Sequence, residues 1–167
     1  MTDTIPRYGP AVDAAITGLL TQARGKGAMK RRPIRPGSDI TATVPADPLE
    51  GLRAAIGLYR EVRGRIRDYA RYAREDGCSW EEIGRAMDRA PDPDAGVTVG
   101  VAAFEFVASD LGRGLSFGWT CPACLGLVID YGPEMGHPED RERGHAEGCT
   151  RLAETIAAWH QEDDNDG

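Results

Sequence analysis

Cys121-Pro-Ala-Cys124 and, after twenty intervening residues, His145-Ala-Glu-Gly-Cys149 are the two segments whose reading decides the fold. A Cys-x2-Cys pair with a His-x3-Cys pair supplies three thiolates and an imidazole, a donor set that tetrahedral Zn2+ takes in closed structural sites. Catalytic zinc usually keeps three protein ligands and an open position. Four good ligands therefore point to one structural ion held by Cys121, Cys124, His145 and Cys149. His137, between Gly136 and Pro138, is the alternative fourth ligand and ranks lower because its spacing matches no paired motif. A redox reading of Cys-Pro-Ala-Cys wants a helix directly behind the pair, whereas Leu125 to Tyr131 reads as extended.

The flanking patterns build a module around these ligands. Leu115, Phe117 and Trp119 alternate with small or polar residues, and Leu127, Ile129 and Tyr131 do the same after the cysteines. Each run reads as a half-buried strand, so the cysteine turn falls at the tip of a hairpin. His145 and Cys149 are four residues apart, on or just before a helix whose face continues through Leu152, Ile156 and Trp159. This predicts a treble-clef or ribbon-type finger over residues 113–161. So small a unit folds only with its metal, and metal binding is folding energy.

The 167 residues suit one domain or two small ones. Four cysteines, no apolar run near twenty residues and no signal-peptide pattern predict a reduced, cytoplasmic protein with no membrane association. Cys78 is the odd thiol and reads as a small buried hydrophobe. Only Lys26 and Lys30 among the twenty basic residues are lysines, a bias that suggests a GC-rich genome rather than a chemistry. The net charge of −7 is unevenly spread. Residues 1–77 hold fourteen basic and nine acidic residues, and residues 78–167 hold six and eighteen. One part can face phosphate while the other stays away from it.

In chain order, residues 1–10 read as disordered and Ala11 to Ala23 as a short helix. Lys26-Gly-Ala-Met-Lys-Arg-Arg-Pro-Ile-Arg35 packs five positive charges between Gly25 and Pro36-Gly37. Residues 1–46 are thus expected to be a mobile basic arm, either contacting phosphate through Lys26, Lys30, Arg31, Arg32 and Arg35 or serving as a solvated linker. Asp47-Pro-Leu-Glu50 carries the start signals of a helix, and Gly77 stands as its C′ residue. The apolar positions Leu49, Leu52, Ile56, Tyr59, Val62, Ile66, Tyr69 and Ala73 mark its core face. Arg63 and Arg67, among the arginines on the rest of its surface, are further candidate nucleic-acid contacts. Residues 162–167 read as an acidic, disordered tail.

Cys78-Ser-Trp-Glu-Glu-Ile-Gly-Arg-Ala-Met87 contains a Ser79/Glu82 capping box and an apolar line through Trp80, Ile83 and Met87. This segment resembles the first helix of a sigma-factor-type helix-turn-helix, packed on a preceding long helix. Gly96-Val97-Thr98 then opens a second helix to about Ser109. Two departures stand out. The turn is expanded by Asp88 to Ala95, and Val99-Gly-Val-Ala-Ala-Phe-Glu-Phe-Val107 offers no Arg, Lys, Asn or Gln to read base edges.

Over roughly residues 48–160 the arrangement resembles a group of small actinobacterial proteins, usually described as uncharacterised or as helix-turn-helix and zinc-finger proteins. The resemblance is specific in Asp130-Tyr-Gly-Pro133 and Gly144-His-Ala-Glu-Gly-Cys149. It implies a DNA-associated or regulatory role. The expected fold is mainly α, with a degenerate helix-turn-helix-like domain over residues 47–112 followed by the finger. With no legible catalytic constellation, the expected function is a non-enzymatic, zinc-binding, DNA-associated regulator. The alternative is a zinc-stabilised protein-interaction module with no nucleic-acid binding.

Overall fold

The computed structural model describes residues 9–109 and 115–165, with side chains as far as Gln161. Of residues 1–10, expected to be disordered, 1–8 lie outside them, as do the last two residues of the expected tail, whereas Gly9 and Pro10 are helical. The chain divides into two compact units, Met1–Gly64 and Arg65–Gly167. That partition differs from the one read in the sequence, because the helix-turn-helix-like segment and the finger fall in one unit.

The first unit contains α1 (Gly9–Arg24), a hairpin of β1 (Met29–Pro33) and β2 (Thr41–Pro45), and the start of α2 (Pro48–Glu75). The hairpin replaces the expected unstructured arm. Its cause is turn chemistry: in Arg35-Pro36-Gly37-Ser38 the Ser38 amide donates to the Arg35 carbonyl at 3.1 Å, and Gly37 takes φ +78°. Pro at the second place and a positive-φ Gly at the third make a type II turn. Ile34 and Ile40 extend the pairing, and Thr41-Ala-Thr-Val-Pro45 then runs antiparallel to Met29-Lys-Arg-Arg-Pro33, with Arg31 opposite Thr43. α2 starts as its sequence requires. Asp47 Oδ1 accepts from the Leu49 amide at 2.8 Å, and Pro48 holds the first helical position.

α2 ends in the second unit, in a Schellman motif. Gly77 sits at φ +100°, its amide donates to Arg74 O, and the Cys78 amide donates to Ala73 O. α3 (Trp80–Ala86) follows with both halves of the Ser79/Glu82 capping box formed. The expanded turn is ordered by a bridge between Asp92 and Val97, and Thr98 Oγ1 caps α4 (Val99–Ala108). β3 (Phe117–Thr120), β4 (Leu127–Asp130) and β5 (Glu142–Arg143) form an antiparallel sheet in that order, with α5 (Pro138–Arg141) before β5. α6 spans Thr150–Asn165, so helix continues into the stretch expected to be a disordered tail.

One core joins the elements of the second unit. Ala70 of α2, Trp80 and Ile83 of α3, Phe104 and Val107 of α4, Phe117, Trp119 and Val128 of the sheet, and Cys121 and Cys149 form a single buried cluster. Ile66, Ala73 and Met87 pack on its edge, so α3 shares a core with the last turns of α2. The upstream positions Leu49, Leu52, Ile56, Tyr59 and Val62 are instead exposed, as is Tyr69.

α4 is a core helix. Its residues are apolar on nearly every side, the composition of a helix buried all round, and Val101, Ala103, Phe104, Val107 and Ala108 are all buried. Its N-terminus is also occupied. Glu81 Oε2 accepts from the Gly100 amide at 2.8 Å, placing a carboxylate on the positive end of the helix dipole. Gly84 lets α3 lie against it: a Cβ there would meet the Val99 carbonyl oxygen at 2.5 Å.

The sheet corrects one register. Phe117 pairs with Asp130 and Trp119 with Val128, and directly opposed residues share a face. The inward residues of β4 are therefore Val128 and Asp130, not Leu127 and Ile129; Leu127 and Tyr131 are exposed.

Candidate metal centre

The β3–β4 hairpin brings up the first pair of ligands. The Leu125 amide donates to Cys121 O at 2.7 Å, and Leu125 takes φ +58°, a left-handed turn that folds the knuckle back on itself. Gly126 then passes close under the second ligand segment, where a Cβ would lie 2.6 Å from Gly144 O. The second pair sits just before α6 rather than on a helical face: His145 lies in the loop after β5, and Cys149 O accepts from Ala153 at the start of α6.

The ligand atoms of Cys121, Cys124, His145 and Cys149 all lie within 4.8 Å of one another. Cys121 Sγ is 3.8 Å from Cys149 Sγ, and His145 Nδ1 is 3.7 Å from Cys124 Sγ and 3.3 Å from Cys149 Sγ. A tetrahedron with metal–thiolate bonds of about 2.3 Å has edges of about 3.8 Å. The four residues are therefore positioned to hold one metal ion.

The surroundings suit thiolates. The Ala146 and Gly126 amides beside Cys124, in that order, draw its thiol down to about 6 against the opposing effect of burial. Cys121, wholly buried, is pushed the other way, burial being the larger influence over the amides of Cys124 and Ala123.

Behind the ligands stands a buried charged network that the sequence did not disclose. With Nδ1 turned to the sulfurs, His145 Nε2 carries the proton and donates to Glu142 Oε2 at 3.2 Å. The other oxygen of Glu142 accepts from Arg74 Nη2. Arg74 is 6% exposed; its Nη1 donates to Cys78 O at 2.6 Å, and its Nε lies 3.3 Å from Asp130 Oδ2. Its guanidinium also stands over the Trp80 and Trp119 rings. Burial raises Asp130 above the usual carboxylate range, opposed by Arg74, by the Trp80 indole N–H and by the Gly132 amide. Arg151 stacks on Trp119 at 4.2 Å and donates to the Arg74 and Glu75 carbonyls at the end of α2. The available sequence signal was Glu142-x-x-His145, a carboxylate three residues before a candidate ligand histidine.

The remaining candidates fall elsewhere. His137 is outside the ligand cluster; it caps α5 through Nδ1 and stands edge-on to Trp159 at 5.0 Å. Lys26, Lys30, Arg31, Arg32 and Arg35 are exposed along the first unit's hairpin and the turn before it. Lys30 Nζ donates to Ala46 O at 2.7 Å. Arg63 and Arg67 are half-buried on α2 and already engaged, Arg63 with the Tyr59 hydroxyl at 3.3 Å. The structure thus gathers the hairpin cations on one ribbon and leaves these two arginines on the helix. No helix among the described residues is long and apolar enough to cross a membrane.

Comparison of the chain with models of protein families, with curated proteins and with solved structures finds no match.

Proposed function

We propose that the ion is zinc and that the protein is a non-enzymatic, DNA-associated regulator of the cytoplasm, with a treble-clef-type finger as brace and a basic β-ribbon as contact. Three thiolates and one imidazole at tetrahedral spacing favour zinc over harder cations, and a site with four protein ligands leaves no open position for chemistry. The Arg74–Glu142–His145 chain is shut inside the core, which suits a structural role. The sigma-factor-like likeness is then one of local helix order: α4 is spent on the core, so a DNA contact has to come from another element.

The observation that carries the DNA reading is the ribbon. A two-stranded antiparallel hairpin fits the major groove, and alternation sends Lys30 and Arg32 to one face and Arg31 to the other. Cations on both faces meet both phosphate walls. Residues 1–64 hold ten basic and six acidic residues, residues 65–167 ten and twenty-one, so attraction to DNA falls to the first unit. Replacing Lys30, Arg31, Arg32 and Arg35 with Ala is expected to weaken binding across all sequences and to flatten the salt slope by up to about four. Absence of DNA binding by the intact protein at low salt contradicts the reading.

The burial of α4 favours a second reading, a zinc-stabilised protein-interaction module without nucleic-acid binding. On that reading the quadruple substitution changes no DNA affinity, because there is none.

A further inference from the structure

Four large apolar side chains on the first turns of α2 face solvent in a line: Leu49 is 60% exposed, Leu52 59%, Ile56 43% and Tyr59 52%. Their spacings of three, four and three residues are those of a coiled-coil seam. Val62, 48% exposed, widens the same face. The unit's own hairpin does not cover it. The hairpin meets α2 at Gly51, off this line, so closely that a Cβ there would lie 2.6 Å from Pro45 Cγ. A contiguous apolar row on a solvated helix marks an interaction surface.

Charge selects the occupant. With Leu49 and Ile56 at the a positions and Leu52 and Tyr59 at d, Arg53 and Arg60 fall at e, the flank that meets a partner helix's flank. An antiparallel second copy would set these arginines against each other. A parallel copy would set them beside Pro48 and Ala55, neither of which is acidic. Glu50, half-buried, holds Arg53 at 2.8 Å and also Arg24 at 3.2 Å, whereas Arg53 itself is 68% exposed, and a solvated arginine of this kind exchanges partners at little cost. We infer that this face docks an amphipathic helix with acidic flanks, contributed by a partner protein and laid along α2 with its acids on Arg53 and Arg60. The inference does not depend on a DNA contact by the ribbon.

The test titrates the full zinc-loaded chain into two labelled helical peptides of about 20 residues, alike in their leucine seam. One carries Glu and the other Lys at the flanking positions, and binding is read by fluorescence anisotropy. The Glu peptide is expected to bind at least about tenfold more tightly, the equivalent of 1.4 kcal/mol. Ile56→Glu and Leu52→Glu, both at solvated positions, are expected to weaken it by about as much without changing the circular dichroism. Arg53→Glu with Arg60→Glu is expected to reverse the preference between the peptides. Failure of both peptides to bind, or equal affinity for the two, overturns the inference. It is also overturned if Ile56→Glu instead dissolves a self-associated state seen by sedimentation, or if a DNA duplex displaces the peptide and its own binding is lost in Ile56→Glu.

Discussion

Trp80 Nε1 donates to Asp130 Oδ2 at 2.8 Å, and the two buried residues are fifty positions apart in the chain. This bond ties the capped helix α3 to the second strand of the hairpin that carries Cys121 and Cys124. The indole also stands edge-on to Phe104 at 5.2 Å and to Phe117 at 5.3 Å, so one side chain meets α4, β3 and β4.

Trp80→Ala is expected to cost about 3–5 kcal/mol, the range for emptying a buried aromatic site. Trp80→Phe keeps an aromatic ring in place but leaves Asp130 short of a donor, at a cost of about 1–3 kcal/mol. Urea unfolding of the zinc-loaded protein gives both values. A loss within about 0.5 kcal/mol for the Ala variant, as for surface changes, would refute the placement.

Arg74→Met removes the cation that faces both Asp130 and Glu142 and leaves buried carboxylates uncompensated. A loss of about 3–5 kcal/mol is expected. Glu142→Ala acts on the metal through His145 and is expected to lower zinc affinity by about 10–100-fold, measured by competition with a chelating dye. Unchanged affinity would show that His145 needs no support from Glu142.

The Ser79/Glu82 capping box makes a pH dependence. Hydrogen bonds from the Ser79 amide and hydroxyl, with a smaller pull from Arg85, hold Glu82 below its ordinary value. A carboxyl with a depressed folded pKa contributes stability that is fully present above the unfolded value, about 4.3, and is lost as pH falls through the folded one. Glu82→Gln is therefore expected to be less stable than the parent near neutral pH, with the gap closing below about pH 4. Denaturation curves from pH 3 to 7 check this, and a gap constant with pH would contradict it.

The ligand set, the capping box and both ends of α2 were legible because each is a short-range rule written in a few residues. Asp47-Pro48 and Gly77 announce the helix ends, and paired spacings announce the ligands. The β4 register was not legible. Alternation alone fits Leu127, Ile129 and Tyr131 as well as Val128 and Asp130, and a charged residue reads as outward until its partners are known. Arg74 and Trp80, far off in sequence, supply those partners. Pro36-Gly37 was legible as punctuation, but turn and linker share that vocabulary, and only the pairing of Met29–Pro33 with Thr41–Pro45 separates them. The apolar row of α2 satisfied the core pattern because periodicity reports that a face is apolar, not that anything within the chain covers it.

The most direct measurement follows zinc and core together. Protein purified under reducing conditions without chelator is analysed for metal, then titrated with a strong chelator while Trp fluorescence and near-ultraviolet circular dichroism are recorded. One zinc per chain is expected. Because Cys121 and Cys149 share one core with Trp80, Phe104 and Trp119, chelation is expected to remove the tertiary signal of α3 and α4 together with that of the finger, and Cys149→Ser to do the same. Metal-free protein with an intact tertiary spectrum, or zinc removal that leaves the Trp80 environment unchanged, would contradict a metal-braced core.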